Sequence, residues 1–152
     1  MKKFLLSLTL LAAALIPASA QQRTEAEAQA IAKAFMQNNG YEFNITKSAK
    51  ANKMRTSNAG DITPYFIFND TRNGGYVIVG GQEGMSDILA YSNDECFDTE
   101  DTPPAAAEML EAYAQVAKYA AEHPEESMAE KKAAAQAFKA SGFARRKSVA
   151  PL

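Results

Sequence analysis

Cysteine, histidine and tryptophan are almost missing from this chain: its 152 residues include one Cys, one His and no Trp. A single cysteine excludes an intrachain disulfide framework and any zinc site built from several thiolates. A single histidine excludes a multi-histidine metal centre. No sign of charge dominates, with a net charge of -2 at pH 7 and a pI near 5.5. That balance leaves no electrostatic footprint for nucleic acid. Long apolar runs are scarce too, the only one being Phe4 to Ile16. The chain is nevertheless 47% hydrophobic, enough for one ordinary domain. Its function must come from surfaces more than from a rich set of catalytic side chains.

Met1-Lys2-Lys3 is basic, the apolar run follows, and Ala18-Ser19-Ala20 is a small-x-small ending before Gln21. This is the layout of a secretory signal peptide cleaved after Ala20. The run falls short of the roughly 20 residues a bilayer span needs. Residues 1–20 are therefore expected to be removed and the chain secreted or periplasmic, with no later membrane span. Losing Lys2 and Lys3 moves the net charge from -2 to -4. From Asp94 to Glu130 eleven acids face Lys118 alone, whereas Lys131 to Leu152 holds six basic residues and no acid. An acidic body precedes a basic tail.

Thr24 with Glu27 forms a capping-box pattern, and Ala28, Ile31, Ala32, Phe35 and Met36 follow at helical spacing before Asn39-Gly40. The spacing predicts a helix over 24–38. Phe43-Asn44-Ile45 reads as a short strand, and 47–60, polar and rich in Asn and Ser, as a mobile surface loop. Tyr65-Phe66-Ile67-Phe68 and Tyr76-Val77-Ile78-Val79 flank the turn formers Asn69 to Gly75. They predict a β-hairpin over 65–81, with a further strand at 88–92. Pro103-Pro104 opens a long amphipathic helix over 104–122, and 123–152 reads as a helical spacer with an exposed basic tail. The expected fold is α+β, a small antiparallel sheet of three to four strands packed with the 24–38 and 104–122 helices.

Both faces of the hairpin are apolar, whereas an antiparallel sheet usually leaves one face polar. Either helices cover both faces or one is kept for a partner. The single long amphipathic helix weights the second option. Such a face would offer Tyr76, Ile78, Ile88, Tyr91 and Phe97.

Candidate chemistry is sparse. Cys96 and His123 are the only nucleophile–base pair available, but Asp94 and Glu95 beside Cys96 disfavour the thiolate. His123 precedes Pro124 between two helices, the ordinary place of a connecting residue. The acids of 94–101 lack the spacing of a calcium loop, so a solvated acidic loop is favoured. Gly74-Gly75 and Gly80-Gly81 precede no helix, which argues against a phosphate loop. Asn44-Ile45-Thr46 and Asn69-Asp70-Thr71 match the glycosylation triplet, a pattern common by chance. No metal and no cofactor is expected, and the chain does not read as an enzyme.

The blocks Tyr65 to Asn69, Gly74 to Val79, Asp87 to Ser92 and Phe97-Asp98 stand in order, with the 25–35 helix before them and the helix from Ala107 to Val116 after them. Over residues 21 to about 119 the chain resembles the pro-domain of streptopain-like cysteine peptidases and the stand-alone Spi inhibitors. It departs from that pattern at Gly80-Gly81-Gln82, at Ala90 and at Cys96. The resemblance implies an inhibitory domain over 21–122 that docks beside a peptidase's active site, in cis or in trans. It also implies that the segment before the long helix, Asp98-Thr99-Glu100-Asp101-Thr102-Pro103-Pro104, approaches the catalytic residues. In the zymogen version the mature peptidase follows soon after a processing site, for which Arg145, Arg146 and Lys147 are the candidates. The rival from another class is a secreted binding module using an apolar sheet face.

Overall fold

A computed structural model describes residues 22–141 of the chain. The predicted signal peptide with its cleavage point after Ala20, and the processing candidates Arg145, Arg146 and Lys147, lie outside the described residues.

The expected elements form. Helix α1 (Glu25–Asn38) starts on the capping box: the Glu27 amide donates to Thr24 Oγ1 at 3.3 Å and the Thr24 amide to Glu27 Oε2 at 2.7 Å. The hairpin is β4 (Tyr65–Asn69) and β5 (Tyr76–Gly80), followed by β6 (Ile88–Ser92), and the long helix α2 spans Pro104–Glu122. A last helix, α3, covers Pro124–Ala140.

Between α1 and the hairpin the structure corrects the sequence reading. No strand forms at Phe43-Asn44-Ile45; Phe43 points into the core, and the Asn44 amide donates to Asp70 Oδ2 at 2.8 Å. The stretch 47–60, read as a surface loop, instead supplies β1 (Lys47–Lys50) and β2 (Met54–Arg55), and β2 pairs in a two-stranded ribbon with β3 (Asp61–Ile62) just after it. Strand β1 joins the sheet at its edge, giving the order β1-β4-β5-β6, all antiparallel. An edge strand is half solvated and is often defended by lysines, so Lys-Ser-Ala-Lys carries little of the apolar signature of a strand.

Helices cover both faces of the sheet, contrary to the weighting from sequence. Phe66, Phe68, Val77 and Val79 pack on Ala28, Ala32, Met36 and Phe43, forming one core with α1. On the opposite face Ile67 and Ile78 are buried, and Ala114, Ala117, Ala120 and Ala121 are the buried residues of α2. A register shift between Ile78 and Val79 inserts an extra residue in β6. Because of that bulge Ile88 and Tyr91, opposite Val79 and Val77, share the α1 face although they are three residues apart.

Helix α3 is held by polar contacts. Ser127 is buried against Gly84, where an added Cβ would lie 2.1 Å from its hydroxyl. Lys131 Nζ donates to the Glu83 carbonyl at 2.9 Å and to Asp87 Oδ1 at 2.6 Å. The same Asp87 oxygen accepts from Arg23, whose guanidinium also donates to the Gly80 and Gln82 carbonyls while only 6% exposed. Among the described residues no helix is long and apolar enough to cross a membrane.

Candidate functional site

The segment between β6 and α2 crosses the end of the α2 face, and its root is fixed by the sheet. Asn69, the last residue of β4, is only 2% exposed. Its Oδ1 accepts the Phe97 amide at 2.8 Å and its Nδ2 donates to the Phe97 carbonyl at 3.1 Å. The Phe97 ring meets Tyr76 edge-on, with centroids 5.3 Å apart. Cys96 Sγ donates to the Asp70 carbonyl at 3.4 Å, seating the loop against the hairpin turn. That turn is tight: Gly74 has φ +76, and a Cβ there would lie 2.7 Å from the Asp94 carbonyl oxygen, so only glycine fits.

Beyond Phe97 the loop organises itself. Asp98 Oδ1 accepts the amides of Glu100 and Asp101 at 2.8 and 3.2 Å, and Thr102 Oγ1 donates to the Asp98 carbonyl at 3.0 Å. Those two amides, with a smaller contribution from Lys47, hold the Asp98 carboxyl below its usual range. Pro103 and Pro104 then enter α2 with φ already set for the first turn. Asp98, Thr99, Glu100 and Asp101 are exposed, as are Pro103 and Pro104, while Thr102 is half-buried.

Under the hairpin turn Asp70 is fully buried. Desolvation pushes its carboxyl up, but hydrogen bonds from the amides of Asn44, Asn73 and Arg72 and from the Asn73 side chain outweigh it, so its pKa is lowered. Burial raises the Tyr76 hydroxyl pKa, with Glu95 and Tyr113 adding to the effect.

Beside the loop runs a groove between β1 and the first turns of α2. One part, of about 190 Å³, is lined by Phe97, Thr99, Thr102, Tyr65, Leu110 and the 49–52 segment. It shares Tyr65, Thr102 and Leu110 with a neighbouring hollow of about 400 Å³ that reaches Met54 and Pro64. The small side chains Ala107 and Ala114 leave this space open.

The strand residues predicted to face a partner do not form one surface. Ile78 has no exposed area and is a core residue, which removes it as a contact. Tyr76 and Phe97 pair on the α2 side. Ile88 packs against the α1 core, and Tyr91, 49% exposed, meets Phe35 edge-on at 4.8 Å on that same side. The bulge in β6 separates the two sets. Cys96 and His123 also have separate partners, since His123 stacks on Tyr119 with centroids 4.5 Å apart. Among the described residues no three His, Cys, Asp or Glu side chains converge as a metal site.

Sequence reasoning passed over the role of Asn69, visible there as the end of a strand block, a turn former and the start of a glycosylation triplet. Its buried, doubly bonded amide is not presented as an acceptor. The Arg23–Asp87–Lys131 node also went unread, because its members stand 64 and 44 residues apart.

The profile of the Spi protease inhibitor family matches residues 20–117. That range takes in α1, the whole sheet, the loop and most of α2, and leaves α3 beyond it. No curated protein and no solved structure matches the chain. With more than half of its length inside the profile, the chain belongs to the Spi protease inhibitor family.

Proposed function

We propose that residues 21–122 inhibit a streptopain-like cysteine peptidase by presenting the 98–104 loop to its active-site cleft. The observation that carries this reading is the loop itself. Its exposed acidic tip stands on a root fixed by Asn69 and Tyr76, in a chain of an inhibitor family. Inhibition of this kind is steric: a rigid segment fills the cleft and disturbs the catalytic geometry, without moving a proton itself. A loop already ordered before binding loses little conformational entropy on docking, and two prolines at its end lower that cost further.

Within this reading we favour a pro-domain acting in cis over a stand-alone inhibitor acting in trans. The family domain is followed by a helix and then by Arg145-Arg146-Lys147, a basic stretch suited to processing. The chain is exported by a signal peptide cleaved after Ala20. Purified residues 21–152 titrated against a streptopain-like peptidase from the same genome should abolish its activity at stoichiometric ratio. An unchanged rate at micromolar domain would sink the proposal and leave a secreted binding module built on the groove as the better account. Reading the gene past Leu152 separates the versions: a catalytic-cysteine motif there supports the pro-domain, and a stop codon favours the inhibitor in trans.

A further inference from the structure

We propose that Asn69 is the positioning residue of the inhibitory loop, fixing residue 97 and so setting the fraction of molecules whose 98–104 segment is placed for binding. The inference rests on the inhibitory reading above.

The side-chain amide of Asn69 offers two N–H donors and a carbonyl oxygen, and so can mimic the donor–acceptor pair of a peptide group. One N–H and the oxygen go to the backbone of Phe97, which is thereby held as if paired with a strand. Asn69 is itself anchored without help from the loop: its carbonyl accepts from the Thr46 amide at 2.9 Å and from Thr46 Oγ1 at 3.1 Å. Past Phe97 the position is different. The hydrogen bonds of residues 98–102 stay inside the loop, running to Asp98. They fix its shape but not its placement on the domain. Placement therefore depends on two ends: the start of α2, and the root where Asn69 bonds Phe97 beside the Tyr76 ring and the Cys96–Asp70 contact. The affinity of a site that is in place only part of the time is reduced by the competent fraction. Loosening the Phe97 end should consequently weaken binding by the factor by which the loop opens.

Asn69→Asp keeps an acceptor for the Phe97 amide and removes the donor, while Asn69→Leu removes both at similar volume. The full chain is measured by amide hydrogen exchange and by its inhibition constant against the streptopain-like peptidase. Both variants should raise exchange of the Phe97 amide at least about ten-fold and raise the inhibition constant by the same factor, with Val77 and Val79 exchanging as before. Wild-type exchange at Phe97 in a folded variant overturns the proposal. So does an unchanged inhibition constant beside a loosened loop. If Val77 and Val79 loosen in step, the role of Asn69 is general structure and the proposal also falls. Should one variant fail to fold, the other decides. A wild-type chain that does not inhibit refutes the inhibitory reading instead, and Phe97 exchange in the variants still decides whether Asn69 places the loop.

Discussion

The two faces of the sheet are closed by different means. On the α1 side large side chains interlock: Phe66, Phe68, Val77 and Val79 against Met36 and Phe43, with Ala28 and Ala32 letting the helix approach closely. On the α2 side the buried helix residues are alanines, of which Ala117, Ala120 and Ala121 pack with Ile62 and Met85 in a smaller apolar cluster, and polar ties add to it. Tyr113 donates to the Leu89 carbonyl at 2.8 Å, Glu122 accepts the Ser57 amide at 2.7 Å, and Asn69 holds Phe97. Dispersion and hydrophobic burial favour whichever side brings more carbon into contact. Directional bonds place a segment without filling the space beside it. The first face holds the larger apolar core; the second holds a smaller one, carries a loop and leaves a groove.

That division can be broken from either side. Phe68→Ala strips a fully buried ring from the α1 face and should cost about 3–5 kcal/mol, read as a lower urea midpoint. If it costs no more than a substitution on the α2 side, the comparison fails. Arg23→Ala leaves the Gly80 and Gln82 carbonyls without a charged donor and should cost about 2 kcal/mol. Its exchange signature should be concentrated in α3 and the 80–87 segment. Leu110→Ala, half-buried beside the groove, should cost only about 1 kcal/mol, since the site is already open to water. A larger loss would show that the groove is filled by side chains in solution.

The smallest effect is electrostatic. The folded pKa of Asp98 is depressed, so its contribution to loop order is complete above the ordinary aspartate value of about 3.9 and is lost as pH falls through the lower folded value. In an NMR titration the Glu100 and Asp101 amides should move together with a midpoint below that value. A midpoint at or above it would mean that the Asp98 turn does not persist in solution.

Much of this was legible in the sequence for a physical reason. α1, the hairpin, β6 and α2 bury large or periodic apolar residues, and Thr24 and Pro104 mark helix starts by local chemistry. The loop of 98–104 was legible as the piece between the last strand and the long helix. What escaped depends on long-range geometry. β1 is a lysine-bearing edge strand whose partner fixes it, not its own pattern. The sorting of Ile88 and Tyr91 onto the α1 face follows from one bulge, and a period of two cannot reveal where the extra residue sits. Asn69 and Arg23 act through side-chain hydrogen bonds to distant backbone, which leave no periodic trace.

The corner where Asp87 receives both Arg23 and Lys131 sets an order of events during synthesis. Arg23 leaves the ribosome first, Asp87 follows 64 residues later and Lys131 another 44 after that. The sheet and α1 can assemble while the chain is still growing. Arg23 can engage Asp87 and the Gly80 and Gln82 carbonyls before α3 exists, so nascent chains halted before residue 131 should hold a formed sheet with Arg23 in place and lack only the Lys131 contacts. α3 is thereby added to a corner already closed around Arg23, and Lys131 gives the Asp87 carboxylate a second cation.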